Sequence, residues 1–222
     1  MSLLILMGKA QETSKPSSSS TGKFFIGLSA GPAFPIGRFG NTDFENVSDA
    51  GLARVGYNLN LNSSYDIQKN FGLASTIYYS RYKLDQAAID KFVSRTTTTS
   101  VSVNVDHWQY VGIVLGPTVI LPINDKLSFG LKAMGGVSHV NFPVIKVDIA
   151  GTNESIVSQE KWTDAFAWQL GSDLKYKITN KFTLFTNLDY GYMRPKWTFS
   201  DNSSVRQNMG VIDLNIGVGT HF

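Results

Sequence analysis

Two histidines carry the clearest potential for catalysis. His107 follows Asp106 and His139 follows Ser138, and an imidazole with a carboxylate and a hydroxyl is the set that activates a nucleophile. If 122–125 is a tight turn between two strands, the flanking segments pair so that the two rings come about one diagonal step apart. Neighbours on a strand point to opposite faces, however, so Asp106 is not expected to reach His107, nor Ser138 to reach His139. No His-x-Ser or Gly-x-Ser-x-Gly pattern supplies a third group. Histidines facing lipid headgroups are the alternative reading, and an enzyme is not expected.

The acids and bases at strand positions form a second set. Lys23, Arg54, Lys132, Lys175 and Lys177 share a face with Asp66, Asp106, Asp173, Asp189 and Asp213. Paired carboxylates can do acid–base work, but charges enclosed in a fold must pair in any case. An ion-pair and amide network centred on Arg54, Asp66, Lys132, Asp173, Lys175, Asp189 and Asp213 is the expectation. The balance of signs argues against an ion-selective pore, which needs a ring of one sign.

Composition narrows the field further. The 222 residues contain no cysteine, which excludes disulfides, thiolate metal sites and cysteine nucleophiles. A net charge of +3 is too weak for a nucleic-acid footprint. Gly217-x-Gly219 runs into the chain end, and three scattered histidines form no ligand set, so neither cofactor nor metal is expected.

These residues sit in segments that alternate with period two. Strands are expected at 23–34, 54–66, 71–83, 105–121, 126–139, 162–178, 181–193 and 209–222. They cover about half the chain, against roughly 20–25% strand in ordinary globular proteins, so the fold class is all-β. In the second segment Val55, Tyr57, Leu59, Leu61 and Tyr65 oppose Arg54, Gly56, Asn58, Asn60 and Asn62. A protein core and a lipid bilayer would both produce such stripes.

Three features favour the bilayer. Connections at 67–70, 122–125 and 179–180 are short, and those at 35–53, 84–104, 140–161 and 194–208 are long. Strict short–long alternation puts all long loops at one end, as in outer-membrane barrels with tight periplasmic turns. Glycines such as Gly27, Gly31, Gly112, Gly171 and Gly217 fall on the polar face, where the interior of an eight-stranded barrel has little room. Aromatics lie in two bands around an aliphatic middle: Tyr65, Phe71 and Tyr176 toward the short turns; Tyr79, Trp162, Trp168, Tyr190 and Tyr192 toward the long loops. Two such girdles match two membrane interfaces. A lipid-carrier barrel in water is the rival; it requires the Leu/Val/Tyr stripe to face inward.

The amino terminus reads separately. Leu3-Leu4-Ile5-Leu6-Met7 looks like a secretory signal, shorter than a normal apolar region and without a basic start, hence truncated. The expected organisation is a signal remnant at 1–10, a disordered linker at 11–22 and a barrel at 23–222. Two long loops carry strand character. Thr96 to Val105 continues the register of the fourth strand, and Val144–Ile149 with Ser155–Val157 reads as a hairpin. Loops 84–104 and 140–161 are therefore the expected places for a protein partner.

The chain resembles small eight-stranded outer-membrane barrels of the OmpX-like and PorT-like type over about 23–222. Lys23 to Pro32 is similar to the opening strand of the PorT-like group, and Tyr65 to Leu73 to its first periplasmic turn. Leu214, Ile216, Val218 and Phe222 resemble the carboxy-terminal signal read by the barrel-assembly machinery, with Thr220 a departure from it. The resemblance implies a closed antiparallel eight-stranded meander in the bacterial outer membrane, monomeric and surrounded by outer-membrane lipids. It implies a structural or interaction role through the loops; a lipid-modifying enzyme at the outer rim and a narrow passage for hydrophobic solutes remain open.

Overall fold

The computed structural model describes residues 24–43, 47, 49–96, 101–149, 155–157 and 160–222. The signal-like segment, the linker and Lys23 lie outside the described residues, as do Thr97 to Ser100 and 150–154 of the two strand-bearing loops. The elements in chain order are β1 (Phe24–Ile36), β2 (Gly56–Gln68), β3 (Phe71–Tyr82), α1 (Gln86–Thr96), β4 (Val101–Val105) and β5 (Trp108–Pro122). There follow β6 (Leu127–Phe142), β7 (Ile145–Ile149), β8 (Ser155–Val157), β9 (Lys161–Lys177), β10 (Phe182–Met193), β11 (Lys196–Thr198), β12 (Ser204–Arg206) and β13 (Met209–His221).

Eight of these strands close into a barrel in the order β1-β13-β10-β9-β6-β5-β3-β2, every neighbour antiparallel. The first and last strands complete the ring, with Leu28 opposite Val218 and Phe222 N donating to Phe24 O at 2.8 Å. Closure leaves no sheet edge along the wall. No helix among the described residues is long and apolar enough to cross a membrane; the strands do the spanning.

The two faces are separated as the alternation requires. Leu28, Leu59, Leu61, Ile77, Ile113, Leu131, Leu188 and Leu214 stand exposed on the outer wall. Asn58, Asn60, Asn62, Thr76, Lys132, Asn187, Asp189 and Asp213 are buried inside. The apolar stripe faces outward, opposite to what a carrier barrel in water requires.

Three expectations are corrected. The fourth strand starts at Trp108 instead of 105, and β4 leaves the barrel to pair with β7, because the chain breaks its extended run at Asp106–His107. Residues 86–96 form a helix where only loop was expected. Asp85 starts it, its Oδ1 accepting from Ala88 N at 3.3 Å and its carbonyl from Ile89 N at 3.2 Å. The loop after β10 carries the small hairpin β11–β12.

Candidate functional site

The lumen divides into two chemistries. Toward the short turns it is polar. Lys132 on β6, Gly171 on β9 and Asp189 on β10 stand in one row, and Lys132 Nζ lies 2.8 Å from Asp189 Oδ1. Asp213 sits opposite Asp189. Below them Lys175 Nζ lies 3.8 Å from Asp173 Oδ2 and 4.4 Å over the Phe25 ring. Asn62 accepts from Thr76 Oγ1 and from Asn187 Nδ2 while donating to Ser29 Oγ. Asp66 is half-buried at the short-turn end of β2.

Toward the mouth, aromatic and apolar side chains join buried polar ones such as Ser80, Ser138 and Asn141, so the ion-pair and amide network does not fill the whole lumen. Phe39, Tyr82, Trp108, Tyr110, Val140, Trp197 and Met209 form one buried cluster. Trp108 packs edge-on against Phe39 at 5.8 Å and Phe142 at 5.7 Å. Its Nε1 donates to Gly51 O at 2.8 Å, and Trp197 Nε1 donates to Val140 O at 3.3 Å. The loops after β1 and β10 thus fold into the mouth. This cluster was not expected from the sequence, although the inward phase of Trp108 and Tyr110 was a signal for two of its members. Two cavities within the lumen measure about 30 and 20 Å3, room for one or two waters.

Two of the expected lumen charges lie elsewhere. Arg54 precedes β2 at the mouth, and its exposed guanidinium pairs with Asp85. Asp106 lies in the break before β5 and pairs with His107. Alternation places a residue only while the chain stays extended in a paired strand, and neither residue meets that condition.

The same break overturns the expectation that Asp106 cannot reach its neighbour. His107 donates twice to Asp106 Oδ1, from its backbone N at 2.7 Å and from Nδ1 at 2.8 Å. Those bonds, the side-chain one foremost, hold the Asp106 carboxyl below the usual carboxylate range. His139 finds its acid across the ladder: it lies opposite Asp164, and Nδ1 donates to Asp164 Oδ1 at 2.7 Å. The His139 ring also stacks on Trp162 at 4.9 Å and 9°. The two histidines are not brought together, since His139 faces Val111 and His107 lies before β5 begins. Ser138 points into the lumen and bonds the Tyr78 hydroxyl. Among the described residues no group of three or more His, Asp or Glu could hold a metal.

The aromatic residues of the two bands all stand on the outer wall. Tyr65, Phe71 and Tyr176 are exposed near the short turns, and Trp162 near the loops. Tyr79, Trp168, Tyr190 and Tyr192 are partly covered, with Trp168 against Tyr190 at 5.3 Å and Tyr192 at 5.8 Å. On β13, Leu214, Ile216 and Val218 are exposed on the same wall, as is the terminal Phe222.

Above the mouth, β4, β7 and β8 form a separate three-stranded sheet. Leu52, Ile89 and Val103 make a small core there, with Leu84, Ala88, Val105 and Val147 against it. The expected hairpin is present, Val147 pairing with Ile156.

The model of the outer membrane protein beta-barrel domain matches residues 2–222. No curated protein matches the chain. Among solved structures, neisserial surface protein A shares 16% identity at a TM-score of 0.50, covering 91% of this chain and 99% of that one. Ail, the attachment invasion locus protein of Yersinia pestis, shares 15% at 0.49 over 91% and 99%. The likeness to the neisserial protein is one of fold. With the apolar wall turned outward and a family model spanning nearly all of it, the barrel sits in the bacterial outer membrane, and the chain belongs to the outer membrane protein beta-barrel domain family.

Proposed function

We propose that the barrel is a non-conducting anchor that holds a small folded module outside the cell for contact with another protein. The observation that carries this is the sheet β4-β7-β8 backed by α1, a structure the barrel itself does not need for closure. One of its edges is occupied: Gln86 Nε2 donates to Val103 O on β4. The other edge is β8, which pairs with β7 on one side, has no second strand partner among the described residues and exposes Val157. A strand of a partner protein adds to such an edge through main-chain hydrogen bonds. The filled lumen supports the non-conducting half of the reading. The barrel-assembly machinery is the expected partner during insertion, reading Leu214, Ile216, Val218 and Phe222.

The test is a photo-crosslinking residue at position 157, compared with one at position 124 in a short turn, on intact cells. A protein adduct formed at 157 and absent at 124 is expected. No adduct from the outside at 157 defeats the interaction reading.

A second reading, chemistry on lipid at the outer rim, rests on the His139–Asp164 pair with its orienting Trp162. Ser138, the neighbour of His139 in sequence, does not supply it with a hydroxyl, being turned inward to Tyr78. Unchanged lipid profiles in cells carrying His139→Ala defeat it.

A further inference from the structure

The hairpin β11–β12 carries a pairing that the barrel does not explain. Phe199 N donates to Ser203 O at 2.9 Å and Gln207 N to Pro195 O at 3.2 Å. Bonded pairs alternate along an antiparallel ladder, so Lys196–Arg206 and Thr198–Ser204 are unbonded pairs. In such a pair the Cα atoms stand only about 4.5 Å apart and the side chains are closest. Two cations therefore face each other where like charges destabilise. Both are exposed, as is Arg194 just before the hairpin. None of the three has an ion pair among the described residues. The acids of the adjoining segments are engaged elsewhere. Asp201 accepts from Ser203 N at 2.9 Å and Oγ at 2.6 Å, and Glu160 from Asn141 and Trp162.

The same register aims the backbone. The N–H and C=O of a residue in an unbonded pair point away from the opposite strand. On β11 they meet β9, where Lys196 O accepts from Thr163 Oγ1 at 2.9 Å and Thr198 O from Lys161 Nζ. On β12 those of Ser204 and Arg206 point off the far edge, which has no strand partner among the described residues. All three residues of β12 are exposed. The hairpin is firmly seated. Trp197 on its inner face is fully buried, and Gln207 Nε2 and Asn208 Nδ2 donate to Asp49 O and Oδ2 at 2.9 and 2.8 Å. An edge already fixed loses little freedom on capturing a strand.

We propose that β12 is a docking edge for an extended segment of a partner protein in which acidic and apolar residues alternate. The segment's backbone pairs with Ser204 and Arg206 as an added strand. Its carboxylates neutralise the opposed Lys196 and Arg206, the guanidinium taking one of them bidentately. Its apolar residues fall beside Val205, which is 39% exposed on the other face. A polysaccharide of the same charge would meet the cations and leave the edge unused, so a peptide fits the site better. This edge is separate from β8, and a crosslinking residue at 157 does not test it.

The experiment is fluorescence anisotropy of a labelled synthetic peptide of alternating Glu and Val, titrated with the detergent-purified chain. Saturable binding is expected. The Gln–Val analogue lacks the charge, and the acidic peptide with N-methylated amides lacks the main-chain donors; each binds about tenfold more weakly. Arg206→Gln weakens binding of the acidic peptide about tenfold, the worth of a charge-assisted contact. Ser204→Pro removes an outward N–H and none of the bonds to β11, and it weakens binding similarly. Lys126→Gln, in a short turn at the other end of the barrel, leaves it unchanged. Heat-modifiable gel migration verifies that each variant is folded, and Arg206→Gln carries the test alone if Ser204→Pro does not fold. Absence of saturable binding overturns the proposal, as does parental affinity in folded Arg206→Gln. So does an N-methylated peptide held as tightly as its parent, since the hairpin would then read charge alone.

Discussion

Lys132 reaches across Gly171 to Asp189, closing a 2.8 Å ion pair over a residue that has no side chain. A Cβ at Gly171 would lie 1.8 Å from Asp189 Oδ1 and 2.7 Å from Lys132 Cε. The glycine and the ion pair are therefore one feature. Both charges are almost wholly enclosed, at 5% and 0% side-chain exposure, so each depends on the other.

Removing one partner strands the other. Lys132→Met lowers stability by about 3–5 kcal/mol, and the double variant Lys132→Met/Asp189→Leu recovers most of that loss. Urea unfolding in lipid–detergent micelles, followed by heat-modifiable migration, measures both. A double variant no more stable than the single one contradicts the pairing.

Gly171→Ala forces the pair apart and costs about 1–3 kcal/mol by overpacking. The control is Gly135→Ala on the outer wall, where the added carbon meets Phe166 at an ordinary 3.4 Å. Equal midpoints for the two variants would mean that the lumen has slack at Gly171.

The mouth cluster should behave as a unit separate from the wall. Trp197→Ala removes a fully buried ring, a change worth about 3–5 kcal/mol in a packed core. The barrel ladder does not run through it, so folded migration is retained while protease cuts within 194–208 faster. Loss of the folded band would show that the plug and wall unfold together.

Asp85→Ala removes the acceptor at the start of α1, at a cost of about 1 kcal/mol to that helix. Hydrogen exchange of α1 amides should accelerate while exchange in β5 and β6 does not. Unchanged exchange in α1 would assign the helix's order to the Leu52, Ile89 and Val103 core.

Acid should loosen the turn before β5. The Asp106 carboxyl is held below its ordinary range by His107, so its contribution is complete above the ordinary carboxylate pKa and is lost as pH falls through the lowered value. Amide exchange at His107 reports this, rising only in strongly acidic buffer. Exchange that already rises near neutral pH would place the loss on another group.

What could be read from the chain is whatever depends on position along a strand. Leu59 outside and Asn60 inside follow from a period of two, and the inward Lys132, Asp189 and Gly171 share its phase. The ends carrying long loops follow from spacing alone. Arg54 and Asp106 mark where that logic stops, since alternation holds only while backbone pairing keeps the chain extended.

Helix α1 escaped for a related reason: its apolar positions make sense only against Val103 of a strand that first leaves the barrel. The mouth cluster escaped more completely. Phe39, Trp108, Phe142 and Trp197 come from segments scattered from the first loop to the last, and no local pattern relates them. Closing the ring between β1 and β13 brings all the long loops to one rim, and only there does burying those rings together become the favourable arrangement.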